Sequence, residues 1–266
     1  MARKSSQSHE EKGTADAAAR KKSAVPAVEK ALDVLEILSL SRDGLTMNEI
    51  VEETGRSMGE LYRVVLYLAE RDYLRQDAAT GRYALTPRLF ELSHRHPPTE
   101  RLLQEAVPVL ERIAAQTEQS CHLAVLNRTQ VLILASVASP RPAGYAVRTG
   151  AMFPALATSS GLVILAHAPA EAQQRFINRL SGSDRDETRQ RLQAIEVAGL
   201  DDSPSRIVTG VRNFSAPVFD NRGVVAAITC GFIDQADQKC APEEVRAVIK
   251  ENAGLLSAAL GQPGQG

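Results

Sequence analysis

The chain has 266 residues, 44% hydrophobic and 24% charged, a composition ordinary for a soluble globular protein and long enough for two domains. Its net charge of −1 excludes polyanion binding through bulk charge, so any nucleic-acid contact must come from local placement of cations. No apolar run reaches the roughly 18 residues needed to cross a bilayer, the N-terminus lacks a signal-peptide core, and Cys121, Cys230 and Cys240 are too scattered for a metal cluster or a disulfide framework, so a cytoplasmic chain with reduced thiols is expected.

Residues 1–24 form a hydrophilic tail whose first 22 residues hold six basic side chains against three acidic ones. Such a segment is expected to be disordered, and either touches a polyanion weakly or has no role. From Val28, the apolar positions Val28, Ala31, Leu32, Leu35 and Leu38 predict one face of an amphipathic helix, broken by Asp43-Gly44. Thr46–Glu49 is a capping box that opens a short helix carrying Ile50 and Val51, and Gly55 stands where that helix must stop. Ser57–Glu60 is a second capping box, with Leu61, Val64, Val65 and Leu68 as the apolar stripe behind it. Strands at Tyr73–Gln76 and Arg82–Leu85 flank the turn Asp77–Gly81. Three helices and a β-hairpin predict a winged helix-turn-helix over residues 25–87.

Such a domain meets double-stranded DNA through its third helix and wing. The exposed face expected there carries Ser57, Met58, Gly59, Tyr62, Arg63 and Tyr67, with Arg56 at the helix entry and Arg75 and Arg82 beside the wing. Arginines at those places suit phosphates. Arg63 is either a base contact or half of an ion pair with a nearby carboxylate. Winged helices also serve as protein-interaction modules, so the alternative is such a module joined to a small-molecule sensor or an enzyme-like domain.

Beyond the wing, residues 88–102 are expected to form a linker helix and residues 103–262 a second domain. Leu103, Val107, Leu110 and Ile113-Ala114 predict a helix from Leu102 to about Gln116. Strands are expected at His122–Leu126, Val131–Val137, Tyr145–Arg148, Phe214–Phe219 and Val224–Ile233, with a turn at Asp220–Gly223 and a closing helix over Pro242–Leu260. The result is an antiparallel α+β domain. Cys121 and His122 are neighbours on a strand, so their side chains point to opposite faces and cannot act as a nucleophile–base pair. His122 reads as an ordinary strand histidine, and His94 and His96 as solvated. With no P-loop or dinucleotide fingerprint, no cofactor, no metal and no catalytic set are expected. Thr158-Ser159-Ser160-Gly161 ahead of an apolar helix is either a simple N-cap or a cradle of free amides for a carboxylate or phosphate.

The runs AVEKALDVLEILS and GLTMNEIVEETGRSMGELYRVVLYLAERDYLRQDAATGRYALTPRLFEL resemble the IclR family of bacterial transcription regulators. LERIAAQTEQSCHLAVLNRTQVLILASVASPRP, FPALATSSGLVILA and GVRNFSAPVFDNRGVVAAI extend the resemblance over most of the chain. The resemblance implies an α+β two-domain fold, with an N-terminal winged helix-turn-helix, a linker helix and a C-terminal GAF/PAS-like effector-binding domain. It also implies a homodimer or dimer of dimers on a near-palindromic operator, no membrane partner, and a small-molecule effector. Gly59 and Glu60 replace the family's usual Ser-Thr pair. Its effector loop falls on Thr158–Gly161 with Leu156 just upstream; its acidic cluster falls on Ser203 and Ser205 beside Arg206; and its remaining effector positions fall on Asn213, Thr229 and Gly231. With those carboxylates gone, the expected effector is an organic acid, aromatic or larger ones included, held by hydroxyl and amide contacts.

Overall fold

A computed structural model describes residues 25–94 and 97–262, so the expectations for the tail, and for the side chains of His94 and His96, lie outside the described residues. The described residues fall into two compact units, one before and one after the division between residues 96 and 97. In the first, helices α1 (Pro26–Leu40), α2 (Met47–Thr54) and α3 (Met58–Glu70) precede strands β1 (Leu74–Gln76) and β2 (Tyr83–Leu85) and helix α4 (Arg88–His94). Capping decides the helix ends. Thr46 Oγ1 accepts from the Glu49 amide while the Glu49 carboxylate accepts from the Thr46 amide, and Gly55 ends α2 in the left-handed region. The wing pairs Leu74 with Leu85 and Gln76 with Tyr83, and its turn is tied by Asp77 Oδ1, which accepts from the amides of Ala79 and Thr80.

The core of this unit is Val34, Leu38, Ile50, Leu61, Val65, Leu68, Leu74 and Tyr83. On α1 it is rotated from the expected stripe. Val34 and Leu38 are buried, whereas Val28 and Leu32 are 54% and 52% exposed. An apolar helix offers more than one stripe, and packing against α2 and α3 selects the one through Val34.

The second unit begins with α5 (Pro97–Thr117), a helix several residues longer than predicted, with Pro97 and Pro98 in its first turn, where a missing N–H costs nothing. The expected linker helix over 88–102 is therefore two pieces, α4 in one unit and the start of α5 in the other. Leu102, Ala106, Val109, Leu110 and Ile113 form the buried face of α5, so Val107, at 37% exposure, is not a core residue. Next come β3 (Ser120–Asn127), β4 (Gln130–Val137), β5 (Met152–Pro154), a 3₁₀ turn (Ala155–Ala157), α6 (Ser159–Ala166), α7 (Ala170–Ile177) and α8 (Ser183–Ala198). The chain closes with β6 (Asp201–Pro204), β7 (Arg212–Asp220), β8 (Gly223–Phe232) and α9 (Pro242–Ala259). The strands make one antiparallel sheet in the order β5-β4-β3-β8-β7-β6. Residues Tyr145–Arg148 are not a strand but an irregular segment ahead of β5.

Helices cover both faces of the sheet. Along β8, Ala226, Ile228, Cys230 and Phe232 join the layer with α5 and α9, while Ala227 belongs to the layer with α6, α7 and α8. The period-2 alternation of a strand thus divides the side chains between two cores. Cys121 faces the α5 layer, where its thiol donates to Leu110 O, and His122 faces the other way.

Candidate functional site

In the first unit the candidate surface is the outer side of α3. Glu60, the acidic residue of its first turn, does not project from it. Glu60 Oε2 accepts from the Ser57 amide at 3.1 Å and the Ser57 hydroxyl at 2.9 Å, and Oε1 pairs with Lys30 Nζ of α1 at 3.0 Å. The Ser57 amide, with Lys30 behind it, holds the Glu60 carboxyl at about 2, well below its ordinary range. The box is not fully reciprocal, because the Ser57 hydroxyl donates to Glu60 and the Glu60 amide reaches the Ser57 carbonyl at 3.1 Å.

With Glu60 folded back, the outer face presents Met58, Gly59, Tyr62, Arg63, Leu66 and Tyr67, all exposed. Leu66, at 42% exposure, was not anticipated; it lies a turn beyond Tyr62 on the same side. The Tyr67 hydroxyl accepts from Arg71 Nη1 at 2.9 Å. Arg63 and Arg75 form no ion pair among the described residues and are exposed.

Two of the expected phosphate contacts, Arg56 and Arg82, are engaged by carboxylates of their own unit. Arg56 donates through Nε and Nη2 to Asp33 Oδ2 of α1, at 2.8 and 2.6 Å, with Glu29 at 3.8 Å. Arg82 makes a fork with both Glu49 oxygens, at 2.9 and 3.0 Å, and a third bond to Gly44 O. Both guanidiniums fasten the wing and the α3 entry to the rest of the unit. A bidentate carboxylate fork satisfies the same donors that a phosphate would use.

In the second unit, a small pocket lies between the sheet and the N-terminus of α6. His122, Ile133, Asn213 and Thr229 line it from the sheet, Thr158, Ser159 and Ser160 from the helix start, and Tyr145, Val147, Phe153, Ser205 and Ile207 from the loops and β5. None of the lining residues is Asp, Glu, Lys or Arg. Thr158 caps α6 by accepting the Gly161 amide at 3.1 Å, leaving the amides of Ser159 and Ser160 without acceptors among the described residues. Those two donors and the helix dipole give this wall a positive character without a cation. Burial pushes the His122 ring down to about 4, so at neutral pH it is an uncharged donor and acceptor. Ser205 Oγ accepts from the amides of Ile207 and Val208, which leaves its proton for a ligand, and the Thr229 and Ser215 hydroxyls hydrogen-bond to each other at 2.7 Å.

The expected effector residues separate into two sets. Thr158, Ser159, Ser160, Asn213 and Thr229 line this pocket. Leu156 and Arg206 instead face a wider groove beside α8. Ser203 is bonded to Asp201 and Arg191. Gly161 and Gly231 do not line the pocket; they make room. A Cβ on Gly161 would lie 2.1 Å from Ala155 O, and one on Gly231 would lie 2.9 Å from the Tyr145 ring. His122, dismissed as an ordinary strand residue, is in the wall, as are Tyr145 and Ser205. The expectation of missing carboxylates holds for the wall alone, since buried Asp201 accepts from Ser159 Oγ directly behind it.

Comparison with known proteins fits both halves. Residues 27–78 match the IclR helix-turn-helix domain, and residues 99–257 match the bacterial transcriptional regulator IclR C-terminal domain. The chain belongs to the IclR family. This IclR-family chain is 25% identical over 248 residues to the glycerol operon regulatory protein of Streptomyces coelicolor, covering 89% of this chain and 97% of that one. Its fold matches the crystal structure of an IclR homolog from Microbacterium hydrocarbonoxydans complexed with 4-hydroxybenzoate, with a TM-score of 0.76, 24% identity, and coverage of 88% and 98%. An IclR-type transcriptional regulator from Alicyclobacillus acidocaldarius matches with a TM-score of 0.71 and 25% identity over 90% of this chain and all of that one. The protein is therefore a helix-turn-helix transcriptional regulator with the family's C-terminal effector-binding domain, and regulation rather than catalysis is its function. No helix among the described residues is long and apolar enough to cross a membrane.

Proposed function

We propose that this IclR-family regulator controls a metabolic operon, binding a near-palindromic operator as a homodimer or dimer of dimers, and that a small ring-bearing carboxylate in the C-terminal pocket alters its operator affinity. The observation that carries the effector class is the pair of free α6 amides, Ser159 and Ser160, at one end of a pocket walled by Tyr145, Phe153, Ile133, Val147 and Ile207. Helix-start amides suit a carboxylate, and the apolar wall suits a ring. Ser205, Asn213 and neutral His122 supply hydrogen bonds for a ring substituent. The 4-hydroxybenzoate bound by the Microbacterium homolog belongs to this class, and the Streptomyces coelicolor relative is an operon regulator by name.

On the DNA side, Arg63 is assigned the base contact, with Met58, Gly59, Tyr62, Leu66 and Tyr67 around it and Ser57 and Arg75 at the backbone. Arg56 and Arg82 hold this surface in shape. For the effector, titration calorimetry of the full-length protein should give saturable binding of benzoate or 4-hydroxybenzoate below about 1 mM, roughly 4 kcal/mol or better. Succinate should bind more weakly, because its second charge would meet the apolar wall. Absence of heat from all three at millimolar concentration overturns the carboxylate assignment.

A further inference from the structure

Directly behind the pocket wall stands a half-buried ion pair that the pocket itself does not contain. Asp201 of β6 is 5% exposed. Its Oδ2 accepts from Ser159 Oγ at 2.5 Å and Ser203 Oγ at 2.8 Å, and its Oδ1 pairs with Arg191 Nη2 of α8 at 3.2 Å. The same Arg191 Nη2 donates to Ser203 Oγ at 2.9 Å, while Arg191 Nε is buried without a partner. On its far side Arg191 opens onto the groove shared with Asp184, Glu187 and Arg206. The neighbouring Asp202 is turned away and held by Arg212 and Arg246.

A negative charge thus sits one side chain behind the amides at this wall, and a positive charge lies just beyond it. A carboxylate beside a helix N-terminus opposes the dipole's attraction for an anion in front of it, and a neighbouring guanidinium restores that attraction. Because Ser159 gives its proton to Asp201, its hydroxyl offers the ligand lone pairs only. The anion-binding contacts left at this wall are the backbone amides and Ser160 Oγ, which otherwise makes only a 3.5 Å bond to Thr158 Oγ1, and their strength depends on the balance behind them.

We propose that Asp201 and Arg191 are positioning residues that set the charge preference of the effector pocket: Asp201 restrains anion binding at the start of α6, and Arg191 offsets that restraint. The proposal rests on the carboxylate reading of the pocket and adds which side chains tune it.

The test is calorimetry of the full-length protein with benzoate and its uncharged counterpart benzamide. A nearby unit charge in a partly buried site is expected to change anion affinity on the order of tenfold. Asp201→Asn should therefore strengthen benzoate relative to benzamide by about that factor, and Arg191→Gln should weaken it by a similar factor. The double variant should return to within about twofold of the original ratio, since the two charges compensate. Arg191→Lys keeps the charge and serves where Arg191→Gln does not fold; its ratio should stay that of the wild type. A purely structural pair would lower both probes together and never give opposite signs. Wild-type binding of benzoate with a ratio that none of the variants moves overturns this proposal alone. Failure of the wild type to bind either probe overturns the carboxylate reading and the proposal with it.

Discussion

Gly161→Ala is expected to destabilise the C-terminal unit by about 3 kcal/mol or to prevent its folding, the upper end of overpacking effects. The added Cβ would lie 2.1 Å from Ala155 O and 2.7 Å from Ala155 Cα, contacts with backbone that no side-chain rotation relieves. Helix α6 could accommodate it only by retreating from the 3₁₀ turn. That retreat would also pull the Thr158 cap and the Ser159 and Ser160 amides out of the pocket. For a unit of this size, a loss of about 3 kcal/mol lowers Tm by roughly 6–12 °C in a calorimetric scan. Gly254→Ala on α9 is the control: a Cβ there meets nothing within 4 Å. Replacing an exposed mid-helix glycine should raise stability by roughly 0.5–1 kcal/mol. The same chemical change therefore has opposite signs at two helical glycines, and equal Tm values for the two variants would refute this account of Gly161.

Arg63→Ala carries the second large effect. Arg63 is exposed and free of ion pairs among the described residues, so the fold loses nothing measurable with it and Tm should stay within about 1 °C. If its guanidinium reads a base edge, operator affinity falls by about 1–3 kcal/mol, roughly 5–150-fold, and discrimination relaxes at one position of each half-site. Arg82→Ala would give the reverse pattern, a lower Tm from loss of the Glu49 fork with base preference intact. Unchanged affinity for Arg63→Ala removes it from the reading surface.

The elements that the sequence made plain are those with local causes. The Thr46 and Ser57 caps, the αL stop at Gly55 and the Asp77 turn each depend on residues three or four apart, and each is found where the spacing puts it. Short edge strands have no such signature: β6 reads Asp-Asp-Ser-Pro, nearly the opposite of strand preference, and exists because β7 offers it a partner. Tyr145–Arg148 alternates like a strand yet remains irregular, its Tyr145 ring packed on Gly231.

The site divides in the same way. Thr158, Ser159 and Ser160 were visible because they lie on one helix start. His122, Tyr145 and Ser205 meet them only through the antiparallel order of the sheet and its loops. At Arg56 and Arg82 a sequence shows the cation but not its partner, which for Arg82 lies 33 residues away in Glu49. Glu60 shows the converse. An acid in the first turn of α3 looks like an obstacle to DNA, yet its charge is held by Ser57 and Lys30, leaving Tyr62 and Arg63 outward.

Coupling between the effector pocket and operator binding is tested most directly by one titration. The full-length protein would be used to enrich a duplex from a random library, and its affinity for that duplex followed by fluorescence anisotropy at fixed salt, with and without saturating benzoate or 4-hydroxybenzoate. The expected result is a near-palindromic duplex bound at least about a thousandfold more tightly than bulk DNA, with an affinity that the ligand shifts by roughly 5–150-fold. A protein that enriches no sequence, or whose operator affinity is the same with the ligand bound, contradicts it.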